Sequence, residues 1–410
     1  MKRFALYFLL VCLGRYTFAQ TNNESLLYSF APGEGAEPVG GLAFDGAGNL
    51  YGTTLAGGQF NCGTVFKLTT DGTQTVLYNF DCGDNGKFPM TGVTLDAAGN
   101  LYGTTSAGGT MLVGLVYKID TQGNYTVLHQ FGGDCFQISG CTGLDGQIPL
   151  TPLLLDGQGN IYGATSQGGR QTNPCLIGGV LSGCGNLFKI TSAGTYSVLF
   201  EFYGLAGGGT TPSWNIMRDG QGNTFGTAFS GVGGTLFELT AARKYTPLAL
   251  TPIDKGTFAG ESYFTRSTSG DFFGGLTGFR QIGVGIWRVS PGRRVFRNTW
   301  FCTDCQSDSA QGWNPQGPLM FSSGILYGTM REGGAFIDPI CNCGGGGVVF
   351  GYNPGTEKET LLYSFPNEGT TSDGWHPTGG VIRDAQGNFY GTLSEGGTFG
   401  QGAVFKLTPQ

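Results

Sequence analysis

The residues able to do chemistry in this chain are few and clustered. Eleven cysteines and two histidines stand among 410 residues. Cys302-Thr303-Asp304-Cys305 has the spacing of one half of a zinc site. Cys341-Asn342-Cys343 is close enough in the chain to supply the other half, although it is tighter than the usual knuckle. Cys135, Cys141, Cys175 and Cys184 make a second set of four, and Cys62 and Cys82 lie equally far from a turn at Gly72. That last pair should face each other across two strands and form a disulfide. For the two larger sets an exported chain favours disulfides over zinc, with connectivity open. Neither a metal nor another cofactor is expected.

Acid–base chemistry has little to work with. His129 falls in a strand read as an outer edge, which leaves His376 beside Trp375, so a multi-histidine metal site is excluded. Glu37, Glu261 and Asp373 are the nearby acids, but general acid–base catalysis needs two groups at a fixed separation, and no motif sets one. No catalytic residue is assigned.

What must position these groups is a repeat. Asp96-Ala97-Ala98-Gly99-Asn100-Leu101-Tyr102-Gly103-Thr104-Thr105 recurs in worn forms whose aromatic falls at Tyr51, Tyr102, Tyr162, Phe225, Phe273, Tyr327 and Tyr390, spaced by 48 to 63 residues. Each unit holds four short segments rich in β-branched and aromatic residues. In the second unit they are Gly92–Leu95, Leu101–Thr104, Gly114–Ile119 and Tyr125–His129. Four strands repeated seven times predict an all-β, seven-bladed β-propeller with four antiparallel strands per blade. The third segments (Val65-Phe66-Lys67-Leu68, for example) each carry a bulky aromatic expected to fill the gap between blades. The chain stops after Phe405-Lys406-Leu407-Thr408 without a fourth segment, whereas Leu26-Leu27-Tyr28-Ser29-Phe30 is an orphan fourth segment near the start. The N-terminal strand is therefore expected to complete the last blade and close the ring.

The Asp-Xaa-Xaa-Gly-Asn phrase is read as a turn between first and second strands, since one carboxylate and one amide are too few for a calcium loop. Because strands alternate in direction, the connections sort by face. First-to-second and third-to-fourth connections are short, whereas second-to-third and fourth-to-first connections hold the insertions at 131–147, 166–184, 301–314, 331–346 and 366–376. All ten mature cysteines are placed in these long loops. On the same face, residues ahead of the first strands end in proline: Glu37-Pro38, Phe88-Pro89, Ile148-Pro149, Thr211-Pro212, Asn314-Pro315 and His376-Pro377. The binding set read from them is Glu37, Lys87, Phe88, Trp214, Trp313, Asn314, Trp375 and His376, which could stack on a sugar or clamp a peptide at a channel mouth. The reading placed ahead of this one is that they plug the loops onto the blade tops.

The chain opens Met1-Lys2-Arg3, then runs apolar from Phe4 to Gly14, with Thr17-Phe18-Ala19 ahead of a cut. This predicts a signal peptide at 1–19, a single propeller domain at 20–410, and a secreted, periplasmic or cell-surface location. Val11 before Cys12 speaks against a lipid anchor. Losing Lys2, Arg3 and Arg15 leaves 19 basic against 28 acidic residues, a net charge of -9. With no basic run or stripe, nucleic acid is not an expected partner. No second apolar stretch reaches membrane length, and a monomer is expected.

Gly-Asn-Leu-Tyr-Gly-Thr-Thr at Gly48–Thr54, then Gly57-Gly58, Gly63 to Thr69 and Leu77 to Phe80, resembles the GloVer tandem-repeat proteins, which are exported bacterial choice-of-anchor proteins. That resemblance covers residues 24–410 and implies export and a surface or secreted role, with no catalytic residues to carry over. The chain departs from the anchored pattern by ending at Gln410 without an apolar tail. Through Asp-Xaa-Xaa-Gly-Asn-Leu-Tyr alone it is more weakly similar to streptogramin lyases and other seven-bladed enzymes, which implies a hydrolase or lyase at the channel mouth as the alternative. The first expectation is a binding or surface-interaction protein for an extracellular glycan, peptide or protein.

Overall fold

Each repeat folds into one antiparallel sheet, and the seven sheets form a seven-bladed β-propeller. The computed structural model describes residues 23–132, 145–169, 176–177, 180–181, 183–203, 209–212, 214–230, 233–250, 263–277, 284–290, 296–302, 313–334, 345–366 and 373–409. Blade one comprises Ala36–Phe44, Leu50–Ala56, Thr64–Leu68 and Gln74–Asn79, in that order from the inside outward. Blade four comprises Ile216–Arg218, Thr224–Ser230, Gly233–Leu239 and Tyr245–Leu250. Blade six comprises Trp313–Ser322, Ile325–Glu332, Val348–Asn353 and Lys358–Ser364. Blade seven takes Gly374–Pro377 with Ile382–Arg383, then Phe389–Gly396, Ala403–Thr408 and, from the other end of the chain, Asn23–Ser29.

The N-terminal strand closes the ring as its sequence predicts. It pairs antiparallel with Ala403–Thr408, from Asn23 opposite Thr408 to Ser29 opposite Ala403. It also carries the register shift seen between the third and fourth strands of other blades, such as at Val65/Phe66 in blade one. Phe30 follows the strand, is fully buried, and donates its N–H to Gly402 O at 3.1 Å, just as Phe80 does to Gly63 O.

Three positions in each repeat explain why the phrase recurs. The glycine of Leu-Tyr-Gly-Thr lies across the ladder from the third-strand aromatic: Gly52 opposite Phe66, Gly226 opposite Phe237, Gly391 opposite Phe405. A Cβ on Gly52 would lie 2.6 Å from Phe66 Cζ, so the missing side chain is the seat of the ring. The fourth-strand phenylalanine of the preceding blade then meets that ring edge-on: Phe30 on Phe66, Phe80 on Tyr117, Phe202 on Phe237 and Phe365 on Phe405, at 5.0 to 5.4 Å. Third-strand aromatics therefore fill the inter-blade gaps, and Phe30 joins blade seven to blade one.

In blade two the first strand is shorter than its sequence suggests, Thr94–Leu95, whereas blades one and six keep long first strands. Glycines let neighbouring inner strands meet through their backbones. A Cβ on Gly92 would be 2.0 Å from Gly41 O, and one on Gly317 would be 1.8 Å from Gly380 N. Thr53 Oγ1 donates to Thr91 O at 2.8 Å and Thr329 Oγ1 to Gly379 O at 2.7 Å, so a second-strand hydroxyl of one blade also reaches the inner main chain of the next.

The Asp phrase is a turn. Asp45 accepts the N–H groups of Ala47 and Asn49 at 2.9 Å, Asn49 Nδ2 at 2.7 Å and Tyr51 Oη at 3.1 Å. Asp96, Asp156 and Asp384 repeat the pattern, and the turn at Asp120–Asn124 copies its backbone part. In blade five Ser267 replaces Asp as the turn's first residue. The carboxylate is saturated by the turn itself.

These turns set one limb of a stability profile. Burial pushes the Asp45, Asp96, Asp156 and Asp384 carboxyls up, but their hydrogen bonds outweigh it and hold each below the ordinary 3.8. Their contribution is present above that value and lost as pH falls through the depressed ones. Glu24, in the closing strand, behaves oppositely. Burial first, and Asp373 second, push it from 4.5 up to about 7 against a hydrogen bond from Tyr363, and Oε1 is buried without a hydrogen-bond partner. A raised carboxyl contributes below pH 4.5 and loses that contribution as pH rises through about 7. Melting temperature should therefore fall on both sides of a weakly acidic optimum. Glu24→Gln should raise it above pH 7 and leave it unchanged near pH 4, in melts followed by circular dichroism; equal shifts at both pH values would remove Glu24 as the cause.

Candidate functional site

The six residues ahead of the prolines share one backbone conformation. Glu37, Phe88, Ile148, Thr211, Asn314 and His376 have φ from +45° to +62°, a region costly for any residue with a side chain. The strain is held by the neighbouring blade. Phe88 N–H donates to Cys62 O at 3.0 Å, Ile148 to Val113 O at 2.8 Å, Thr211 to Cys184 O at 2.8 Å, His376 to Gly346 O at 2.7 Å and Glu37 to Gln401 O at 3.0 Å. The following proline packs on that blade's glycine: a Cβ on Gly63 would lie 2.7 Å from Pro89 Cδ, and one on Gly347 would lie 2.5 Å from Pro377 Cδ. The main chain of this proline ring is thus a blade-to-blade clasp. Since backbone and proline do the clasping, the side chain at the strained position is free to vary, and it does.

Of the sequence-predicted binding residues, the structure brings Trp375 and His376 together with a carboxylate and a guanidinium that the sequence reading did not select. His376 Nδ1 lies 2.9 Å from Glu395 Oε1, Arg331 Nη2 lies 3.0 Å from the same oxygen, and Trp375 Nε1 donates to Oε2 at 3.4 Å. Ser394 Oγ donates to His376 O at 3.1 Å and lies 3.5 Å from Arg331 Nη1. Trp375 pairs across the ladder with Glu395. Arg331 comes from blade six and Glu395 from blade seven, so the cluster spans two blades at the long-loop end of their second strands. The His376 side chain is 11% exposed and that of Glu395 is 43% exposed, so the imidazole is the fixed wall and the carboxylate the solvent-facing part. Burial alone would push Glu395 up; the hydrogen bonds from His376 and Trp375, with the charge of Arg331, hold it below its ordinary 4.5.

A signal for Arg331 and Glu395 is present in the repeat alignment. Before the paired glycines, blades one, two, three, six and seven read Leu55-Ala56, Ser106-Ala107, Ser166-Gln167, Arg331-Glu332 and Ser394-Glu395. Charge enters where the other blades carry small, apolar or neutral residues.

The remaining members stand elsewhere. Trp214 has φ +77° and packs edge-on to Tyr263 at 5.3 Å, a contact that joins blades four and five. Lys87 Nζ lies 5.4 Å from the ring of exposed Phe88 on blade two, and Glu37 is exposed on blade one. Asn314 accepts from Gln316 Nε2 at 2.9 Å beside Arg331's strand, and Trp313 pairs in register with Glu332. Exposed apolar side chains also mark this face on blades seven, one and two, at Phe399, Phe60 and Leu112. His129 is structural: it stacks on Tyr196 at 3.8 Å and bonds Asp145 at 3.1 Å. Glu261 lies outside the described residues.

Cys62 and Cys82 form the expected disulfide, Cα atoms 5.5 Å apart. Cys184 is also disulfide-bonded. Cys302 is the last residue of a fourth strand, Phe296–Cys302, and not a loop residue as the sequence reading placed it: pairing with Val284 extends the ladder that far. Cys135, Cys141, Cys175, Cys305, Cys341 and Cys343 lie outside the described residues. Among the described residues no helix is long and apolar enough to cross a membrane.

Residues 13–177 match the model of the Gloeobacter/Verrucomicrobia repeat. No curated protein matches the chain. Among solved structures it is similar to an oligogalacturonate lyase from Vibrio parahaemolyticus, with TM-score 0.56 and 10% identity over 97% of this chain and 96% of that one. It is also similar to a protein described as the extracellular domain of a hybrid two-component system from B. thetaiotaomicron, with TM-score 0.55 and 14% identity over 95% of this chain. This chain spans 41% of the length of that domain. At such identities the likeness is one of fold.

Proposed function

From a seven-bladed propeller whose first blades carry the Gloeobacter/Verrucomicrobia repeat, we propose that this is an extracytoplasmic ligand-binding protein that uses its long-loop face. The observation that carries this reading is the Glu395 carboxylate, which gathers Arg331, His376 and Trp375 from two blades at a place where other repeats hold small or neutral residues. The opposite face is built of turns that consume their own polar groups. The Cys62–Cys82 disulfide supports a location outside the cytoplasm.

The test is binding of the purified chain to glycan and peptide arrays. Replacing Arg331 by Ala should weaken any hit by about tenfold or more, because it removes a charge-assisted donor. Gln122→Ala, on an exposed short-loop turn, should leave it unchanged. Equal loss from both variants, or from neither, would move binding off this face.

A second reading draws on the 2.9 Å contact between His376 and Glu395. A carboxylate orienting an imidazole is a usual part of acid–base sites, and a hydrolase or lyase follows from it. Turnover of a polysaccharide panel that His376→Gln abolishes would establish that reading; no turnover would leave binding alone.

A further inference from the structure

We infer that the ligand is an extracellular oligosaccharide, and that blades six and seven hold two subsites for sugar residues one disaccharide repeat apart. This rests on the long-loop face being the binding face. In blade seven Trp375 stands opposite Glu395 in the ladder; in blade six Trp313 stands opposite Glu332. The corresponding pairs elsewhere are Ala36 with Ala56, Lys87 with Ala107, Gln147 with Gln167 and Thr210 with Phe229. Only blades six and seven, among the described pairs, present tryptophan against glutamate. Each tryptophan is followed by a polar residue held at positive φ, Asn314 or His376, and then by proline. The two units therefore place the same residue types at the same ladder positions.

Arg331 makes them one surface. It follows Met330 on blade six, immediately before Glu332, yet reaches Glu395 of blade seven at 3.0 Å. Packed sheets lie about 10 Å apart, close to the repeat of a disaccharide. In blade seven the Trp375 indole, beside a carboxylate, an imidazole and a guanidinium, offers a ring face for C–H groups and several in-plane partners for hydroxyls, and blade six sets Trp313 and Glu332 at the same ladder positions. A peptide is less well served, because the groups gathered on Glu395 are polar and suit hydroxyls better than an apolar anchor.

The probes are gluco-, xylo-, chito- and uronate oligosaccharides from monomer to hexamer, titrated calorimetrically into the mature chain, with a peptide array in parallel. For one of these series affinity should rise by about tenfold or more from monomer to trimer and then level off. Arg331→Ala should reduce binding at every length. Glu332→Ala should erase only the gain from the longer ligands. Trp375→Ala should abolish binding, and thermal melting must show that it still folds, since the ring packs against Gly396. If a monosaccharide binds as tightly as its hexamer, the two-subsite inference falls. If peptides bind and glycans do not, with Arg331→Ala weakening them, the sugar assignment falls and the binding face stands. If nothing binds, or binding ignores both Arg331→Ala and Glu332→Ala, the inference and the proposed face fall together.

Discussion

A chain lacking residues 20–30 is expected to lose its cooperative thermal transition, or to melt at least 15 °C or so below the chain of residues 20–410. Those residues supply the whole fourth strand of blade seven. With them go the backbone pairing to Ala403–Thr408 and the buried ring of Phe30. Emptying a phenylalanine site costs about 3–5 kcal/mol, and the partly buried Leu26, Leu27 and Tyr28 bring the loss to on the order of 5–10 kcal/mol. That rivals the net stability of a typical domain, about 5–15 kcal/mol. The loss is not confined to one blade, because Phe30 packs on Phe66 of blade one, so the last and first blades part where they should meet. The edge of Ala403–Thr408 would also be bared as a template for another chain. Differential scanning calorimetry of the truncated protein, alone and with a synthetic peptide of residues 20–30, checks this. The peptide should restore much of the transition, and an unchanged melting temperature on truncation would refute ring closure as the source of stability.

Ring closure was legible because the fourth strand is a phrase. Leu-Tyr-Xaa-Phe is constrained by its neighbours: the phenylalanine must reach the next blade's aromatic, and that aromatic must sit over a glycine. Identities forced by the same contact in most blades become visible as repetition. The Asp turn was legible for the same reason, with donors at fixed offsets within six residues. The pairing of Cys62 with Cys82 could be read because both flank one hairpin at equal distance. By contrast Glu395 and Arg331 are 64 residues apart and meet only because two blades are adjacent. No local pattern links them, and the trace they leave is a departure from the repeat, at a column where the eye looks for agreement. The proline ring was open to two readings, plugging and binding. Its six prolines mark a strained clasp between blades, as plugging requires, while the side chain that precedes each one varies from blade to blade. The tryptophans divide likewise: Trp214 joins blades through Tyr263, whereas Trp375 shares a carboxylate with an arginine.

The seat of each aromatic gives the sharpest test of the packing, and blade four is the place to apply it. Phe237 is fully buried, opposite Gly226, edge-on to Phe202 at 5.3 Å and near Tyr245 at 5.5 Å. Phe237→Ala should destabilise the protein by about 3–5 kcal/mol, the usual cost of removing a core phenylalanine. Gly226→Ala should cost about 1–3 kcal/mol by overpacking, since its new Cβ would lie 2.4 Å from Phe237 Cζ. Unlike Gly63 at φ +93°, Gly226 has no left-handed backbone to strain, so its cost is one of space alone. The two positions should therefore couple. Gly226→Ala combined with Phe237→Leu, which draws the bulk back from the new methyl group, should be more stable than the sum of the single effects by about 1 kcal/mol or more. Chemical denaturation of the four proteins measures the cycle. Additive losses would mean that the glycine is not the seat of the ring, and the recurrence of Tyr-Gly-Thr in every blade with that phrase would need another physical cause.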